Sequence, residues 1–378
     1  MPSRRRFLAI IGGGAVLAAT PAAAWLGTRT PHAALEPWAL AGGYDEPRRR
    51  ALSWALLAPN PHNRQPWRVD LSEPDVVTLY AQSDRNLPHT DPYDRQITIG
   101  LGCFLELMRM AAAQDGYRVE IEPFPEGWSR DGLDARPVAR ARFVRDTFVE
   151  RDPLFAHVPQ RRTCKEPYDV ERVPEAALAA AVVANSTHAT GGSTVDPDEV
   201  AAWRTLAEEA STIEMTTPRT HKESVDLFRI GRAEIEANPD GIDLGGPFLS
   251  TLAAFGQLDR ESLADQGSAQ FAQSVPAILD PIRSAPAWVW LVSEDNDRPT
   301  QLGVGADWLR ANLRATAAGL AFNPHSQSLQ EYPEMAALYR QVHERLAQDG
   351  GTVQMLARIG YGPDVAPSPR WRLETRIA

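Results

Sequence analysis

Lysine is nearly absent from this 378-residue chain: Lys165 and Lys222 are the only two among 39 basic residues, the rest being arginine. Cysteine is as scarce. Two residues, Cys103 and Cys164, are too few for a disulfide framework and lack metal-ligand spacing. A single disulfide between them stays open, and no metal site is expected. Positive charge is in deficit, with a formal net charge of −10, which argues against a nucleic-acid or membrane-surface partner. Several catalytic signatures are missing too. There is no Gly-x-Ser-x-Gly, no His-Glu-x-x-His, and no Gly-x-Gly-x-x-Gly opening a helix after a strand. Gly100-Leu101-Gly102 lacks the third glycine and the acidic partner, and Gly12-Gly13-Gly14 falls in an apolar N-terminal run. His157, His188, His221 and His343 are scattered and read as surface or satisfied core residues. No nucleophile–base pair emerges, so no catalytic side chain is assigned.

The N-terminus carries information of another kind. Ser3-Arg4-Arg5-Arg6-Phe7-Leu8 precedes a small, apolar run from Ala9 to Ala24. A basic n-region, a short h-region and Ala22-Ala23-Ala24 form a secretory signal, and the arginine pair before Phe-Leu is its twin-arginine form. Residues 1–30 are therefore expected to direct export by the twin-arginine machinery to the periplasm or cell envelope. Cleavage near Ala24 and retention as an anchor both remain open, because Trp25-Leu26 continues the apolar stretch. About 350 residues are left, enough for one large domain or two ordinary ones.

Periodicity along that remainder predicts an α+β protein. Helices are expected at 46–57, 97–114, 171–183, 197–215, 303–320 and 335–348. Strands are expected in a hairpin over 67–80, at 117–123 and 139–144, ending at Val195-Asp196, and at 287–292 and 352–360. Residues 217–285 are irregular in pattern, as a lid or binding loop would be. The helices after Ile97 and Gly303 look alike, each with glycines spaced by two and a Leu-rich face. The chain thus reads as two degenerate halves, 45–150 and 151–370, forming a pseudo-dimer.

Two segments concentrate polar chemistry. Ala58-Pro59-Asn60-Pro61-His62-Asn63-Arg64-Gln65-Pro66-Trp67-Arg68 joins a helix to a strand. Its prolines stiffen the loop, and its amides each offer a donor and an acceptor, as the edge of a heterocycle requires. A Pro/Asn-rich turn can equally use those amides to cap its own backbone. The second segment, Gln160-Arg161-Arg162-Thr163-Cys164-Lys165-Glu166, opens the second half. Arginine forks suit phosphate oxygens, a hydroxyl adds a neutral bond, and a lysine can stabilise charge developing on a ring carbonyl. The plain alternative is a solvated basic turn.

The first segment resembles the loop by which the FMN-dependent nitroreductase superfamily holds its flavin, commonly Ala-Pro-Ser-x-x-Asn-x-Gln-Pro-Trp. Arg161-Arg162-Thr163-Cys164-Lys165 resembles that superfamily's opening Arg-x-Ser-x-Arg/Lys motif. Homodimeric members carry the Arg motif first; finding the loop first is the arrangement of the exported, single-chain, Acg-like FMN-binding branch. Gln354 to Gly362 resembles that branch's closing segment. The resemblance implies a nitroreductase-like sandwich with one FMN between the halves, in a chain able to act as a monomer. It implies that Arg161, Thr163 and Arg358 bind the phosphate and ribityl chain, and that Lys165 approaches the N1/O2 edge of the ring. Asn63 and Gln65 would bond the ring or ribityl chain, with Asn60 and His62 beside them, and Asn323 to Gln327 would close the other side. Asn60-Pro61 departs from the usual Ser-Ser. The implied activity is ping-pong electron transfer from a small-molecule donor to a quinone, nitro or similar acceptor. The alternative is FMN sequestration, storage or sensing without turnover. Twin-arginine export carries folded proteins, which suits a chain that takes up its cofactor before leaving the cytoplasm.

Overall fold

The computed structural model describes residues 30–245, Leu249 and 258–378. The signal segment and Gly246-Pro247 lie outside the described residues. The first half begins with helices α1 (His32–Leu40) and α2 (Pro47–Ala55). The Glu46 side chain caps α2 by accepting from Arg49 N, and Pro47 fits the first turn, where no N–H partner is lost. Strands β1 (Trp67–Asp70) and β2 (Val76–Ala81) follow, then helix α3 (Arg95–Gln114) and strands β3 (Tyr117–Pro123) and β4 (Ala139–Arg145). The strands form one antiparallel sheet in the order β1-β2-β4-β3.

The second half repeats this plan around an insertion. Helix α4 (Ala176–Val183) and strand β5 (Thr190–Thr194) come first. The inserted elements are α5 (Pro197–Thr216), α6 (Pro218–Asp226), β6 (Phe228–Ile230), α7 (Gly231–Ala237), β7 (Ile242–Leu244), α8 (Arg260–Ala264) and α9 (Ala269–Arg283). Then come β8 (Ala287–Ser293), α10 (Arg298–Ala317), β9 (Ala321–Pro324), α11 (Ala336–Leu346) and β10 (Thr352–Gly360). Its sheet runs β5-β8-β10-β9, the same topology as the first.

The duplication shows most sharply where the halves meet, along α3 and α10. A Cβ on Gly102 would lie 2.1 Å from the carbonyl oxygen of Leu302; one on Gly305 would lie 2.2 Å from that of Ile99. Ile99 stands to Gly102 as Leu302 stands to Gly305, so the two contacts exchange under a local two-fold. Only glycine lets the backbones come this close. Cys103 Sγ donates to Gly305 O at 3.1 Å in the same seam. Both 20-residue helices stop at a left-handed glycine, Gly116 (φ 75°) and Gly319 (φ 68°). One apolar core runs through both halves, including Leu101, Phe104, Leu309, Leu313 and Ile359. After β10 the chain crosses back, and Ile377 pairs in parallel with Val69, covering the β1 edge.

Several boundaries differ from the sequence pattern. Helix α4 starts at Ala176 rather than residue 171, since Pro174 disfavours helical backbone at the residue before it. Strand β5 stops before Val195, because Asp196 is already the cap of α5, accepting from Asp198 N and Glu199 N. Helix α10 starts five residues early, capped by Asp297 accepting from Thr300 N. Cys103 and Cys164 are both buried and are not joined in a disulfide.

The α3–α10 seam yields a direct expectation. Gly102→Ala forces the helices apart and is expected to lower stability by about 1–3 kcal/mol, read as a reduced midpoint in thermal or urea unfolding. An unchanged midpoint would show that the seam has slack.

Candidate functional site

The loop between α2 and β1 is held in a costly conformation. His62 (φ 46°), Asn63 (φ 52°) and Gln65 (φ 49°) all occupy the left-handed region, at roughly 1 kcal/mol or more each for residues other than glycine. The amides offset this. Gln65 N donates to Asn60 Oδ1 at 2.7 Å, and Asn60 Nδ2 donates to Ala58 O at 3.2 Å. Asn63 Nδ2 donates to Pro369 O at 3.0 Å and its Oδ1 accepts from Arg370 Nη1 at 2.5 Å. Gln65, fully buried, donates to Pro239 O at 2.6 Å and accepts from Trp371 N at 2.9 Å. Asn60, Asn63 and Gln65 therefore shape the loop through the chain's own backbone. Their amides are engaged by protein partners, the capping use that such a turn permits.

The cationic half is different. Arg161 is buried and spends one nitrogen on the loop, donating from Nη2 to Leu57 O at 3.0 Å. Among the described residues, its Nε and Nη1 are buried without a partner. Arg358, on β10 opposite Asn323 and Trp288, is fully buried. Its Nη2 donates to Cys164 O and Glu166 O, each at 3.0 Å, and its guanidinium lies 3.9 Å over the Tyr168 ring. Its Nε and Nη1 also have no partner among the described residues. Arg358 thereby braces the segment that Arg161 begins; Thr163 and Lys165 lie on that segment. Cys164 N donating to Phe322 O at 3.0 Å ties it to β9. Burial, with Arg162 adding repulsion, pushes the Arg161 pKa down to about 10. Burial lowers Arg358 as well.

A buried guanidinium without a counter-anion costs several kcal/mol. Two of them, each with two donors to spare, fit an anionic ligand whose oxygens accept those bonds. Lys165 lies near enough to His62 to depress the imidazole's basicity. The proline loop and the Arg161–Lys165 cluster thus meet across the two halves.

Sequence reasoning overlooked Arg370. It is buried at the loop's base, donating from Nε to Leu56 O at 2.7 Å and from Nη2 to Ala58 O at 3.2 Å. Burial, then repulsion from Arg161, pushes its pKa down to about 9. It lies in the C-terminal arm, beyond any motif; the Pro369-Arg370-Trp371 cluster was the available signal. Asp240, in the insertion, was also overlooked. Arg229 reaches it at 2.7 Å, Arg64 at 3.9 Å, and Arg85 forms a further ion pair. Of the segment 323–327, His325 is buried, with Nε2 3.3 Å from Ser211 Oγ. Burial and then Arg358 push its pKa down to about 3.

The duplicated position in the second half is closed. Asn185 is left-handed (φ 55°), like Asn63, but the turn around it is occupied by a carboxylate. Buried Asp307 accepts from Thr187 N at 2.9 Å and His188 N at 2.7 Å. On β4 the counterpart of Arg358 is Arg142, which pairs with Glu120 as Arg358 pairs with Asn323. Arg142 is exposed and lies 3.7 Å from Glu73. Among the described residues, the buried guanidiniums with spare donors lie where the proline loop of one half meets Arg161 and Arg358 of the other.

The chain thus has two α+β halves of one sheet order, with two buried guanidiniums that lack a full set of partners among the described residues beside the proline loop. No family model matches the chain. A Mycobacterium tuberculosis protein provisionally named NAD(P)H nitroreductase Rv3131 is 28% identical over 336 residues, 86% of this chain and 89% of its own length. A second, provisionally named NAD(P)H nitroreductase acg from the same organism, is 26% identical over 328 residues, 85% of this chain and 91% of its own. The FMN-dependent nitroreductase NfnB of Mycobacterium smegmatis, solved with NADPH, aligns with 57% of this chain and 92% of its own. At 17% identity and a TM-score of 0.36 that likeness bears no weight here. The chain is thus similar over most of its length to proteins of the Acg-like nitroreductase group, as the motifs implied. Its two halves share one sheet order, as the sequence pattern of two degenerate halves predicts.

Beside the site, Glu214 gives a pH-dependent expectation. Gln330 Nε2 donates to its carboxylate at 2.7 Å. Burial nonetheless pushes its pKa up to about 7 from an ordinary 4.5, with Glu223 adding repulsion. Between those values the unfolded chain releases a proton that the folded chain keeps. Folding stability therefore falls as pH rises through that window, by at most about 3 kcal/mol. Glu214→Gln should lack this component, so its stability relative to the parent should rise from pH 4.5 to pH 7. A pH-independent difference in urea midpoints would contradict it.

Proposed function

We propose that this chain binds one FMN between its halves and works as a nitroreductase-type oxidoreductase, passing electrons from a small-molecule donor to a small-molecule acceptor. The observation that supports this most is the pair of buried guanidiniums, Arg161 and Arg358, each with two unpartnered donors. Their bidentate forks suit a terminal phosphate, and Thr163 on the same segment adds a hydroxyl. Lys165 supplies a positive charge where the ring would meet the proline loop, favouring the negative charge that reduction places there. Bound FMN would supply the redox chemistry; the protein sets its orientation and the charge around it. The relatives' names point to NAD(P)H as donor and nitro compounds as one class of acceptor. Asn60, Asn63 and Gln65 contribute by fixing the loop.

Export by the twin-arginine route rests on Arg4-Arg5-Arg6-Phe7-Leu8 and the apolar run behind it. The rival reading, FMN sequestration without turnover, draws on one observation. The insertion is fastened to the loop through Asp240, Pro239 O and the bond from Gly241 N to Asn63 O, 3.2 Å long, as a lid over 217–285 would be.

Purified protein is expected to be yellow, with one flavin per chain, and Arg161→Ala with Arg358→Ala should abolish flavin retention. Unchanged occupancy in that double variant would overturn the phosphate assignment. Anaerobic stopped-flow mixing with NADPH and NADH should bleach the flavin. Bound flavin that stays oxidised with both would favour sequestration.

A further inference from the structure

Between Asn60 and Gln65, His62 is the polar side chain with no hydrogen-bond partner among the described residues. Asn60, Asn63 and Gln65 spend their amides on the chain, and Arg64 donates to Arg85 O at 3.1 Å and Asp84 O at 2.8 Å. His62 Nδ1 is buried without a partner among the described residues, although the residue is partly open to solvent. The backbone there is left-handed, φ 46°, a conformation uncommon outside glycine, though histidine adopts it more often than most residues. It is clamped from both sides: Asn63 N donates to Asn60 O at 3.2 Å, Arg64 N to Pro61 O at 2.9 Å, and Gln65 N to Asn60 Oδ1 at 2.7 Å. The turn's base is wedged against α3, where a Cβ on Gly100 would come within 3.1 Å of Pro61 Cδ. A strained, braced backbone that presents a side chain with an unused nitrogen is the arrangement expected of a ligand-directed residue.

We propose that His62 is a side chain through which the loop hydrogen-bonds the heterocyclic ring of the bound cofactor, in a positioning role. This rests on the flavin reading above. Burial, then Lys165 and Arg64, push the His62 pKa down to about 4, so the imidazole is uncharged at neutral pH. It then offers one N–H and one lone pair. Lys165 carries the positive charge at this edge, and His62 fixes the ring's position without adding a second charge.

Two substitutions isolate the imidazole because both tolerate positive φ. His62→Gly keeps the backbone and removes the ring; His62→Asn keeps a neutral donor and acceptor. Binding of added FMN to protein stripped of flavin would be followed by fluorescence quenching. The flavin absorption spectrum and midpoint potential would be recorded on the reloaded protein. His62→Gly is expected to weaken FMN binding about tenfold, the worth of one good hydrogen bond, and to shift both spectrum and potential. His62→Asn should recover part of each shift. A His62→Gly protein with parental affinity, spectrum and potential overturns the proposal while leaving the flavin site intact. A parent that binds no FMN at all would instead sink the flavin reading itself.

Discussion

The 3.0 Å hydrogen bond from Arg161 to the Leu57 carbonyl joins the cation of one half to the loop of the other, and much of the surrounding structure serves it. Helices α3 and α10 hold the halves at the spacing that Gly102 and Gly305 allow. Arg370 donates to the same carbonyl, from Nη2 at 3.4 Å. With one nitrogen so committed, Arg161 keeps two donors directed elsewhere, as Arg358 does from β10. The junction is stable as a polymer contact and incomplete as an electrostatic one. A ligand that completes it would strengthen the association of the halves as well as occupy the site, since binding to the folded state alone stabilises that state.

The two halves share one sheet order but treat corresponding positions differently. In the second half Asp307 satisfies the N–H groups of Thr187 and His188 from within the protein, so no external anion is needed there. Arg142, at the strand position that Arg358 holds, is exposed beside Glu73, where charge costs little and binds little. A carboxylate in one copy and two partnerless guanidiniums in the other are complementary ends of the same specialisation. The long insertion between β5 and β8 anchors the proline loop, through Asp240 near Arg64 and through Gly241 N on Asn63 O.

Much of this was legible in the sequence because it is local. The alternation at 117–123 and 139–144, the small-residue pattern of α3 and the clustering of Arg161, Thr163 and Lys165 all lie within one element or loop. The roles of Asn60, Asn63 and Gln65 were less accessible. An amide declares a donor and an acceptor but not its partner, and Asn63 and Gln65 find theirs at Pro369 and Trp371, 306 positions away in each case. Arg370 escaped notice for the same reason: an arginine in a C-terminal arm has no meaning until the arm is seen to fold back. The uncommitted His62 emerges only by elimination, once every neighbouring polar group has been accounted for.

The central claim, that Arg161 and Arg358 are buried to receive a phosphate, is tested most directly by comparing FMN with riboflavin, which lacks only that phosphate. Titrating each into protein stripped of flavin isolates its contribution. Two charge-assisted sites, worth about 1.5–3 kcal/mol per hydrogen bond, predict that FMN binds at least about 100-fold more tightly than riboflavin. Equal affinities for the two would contradict the account.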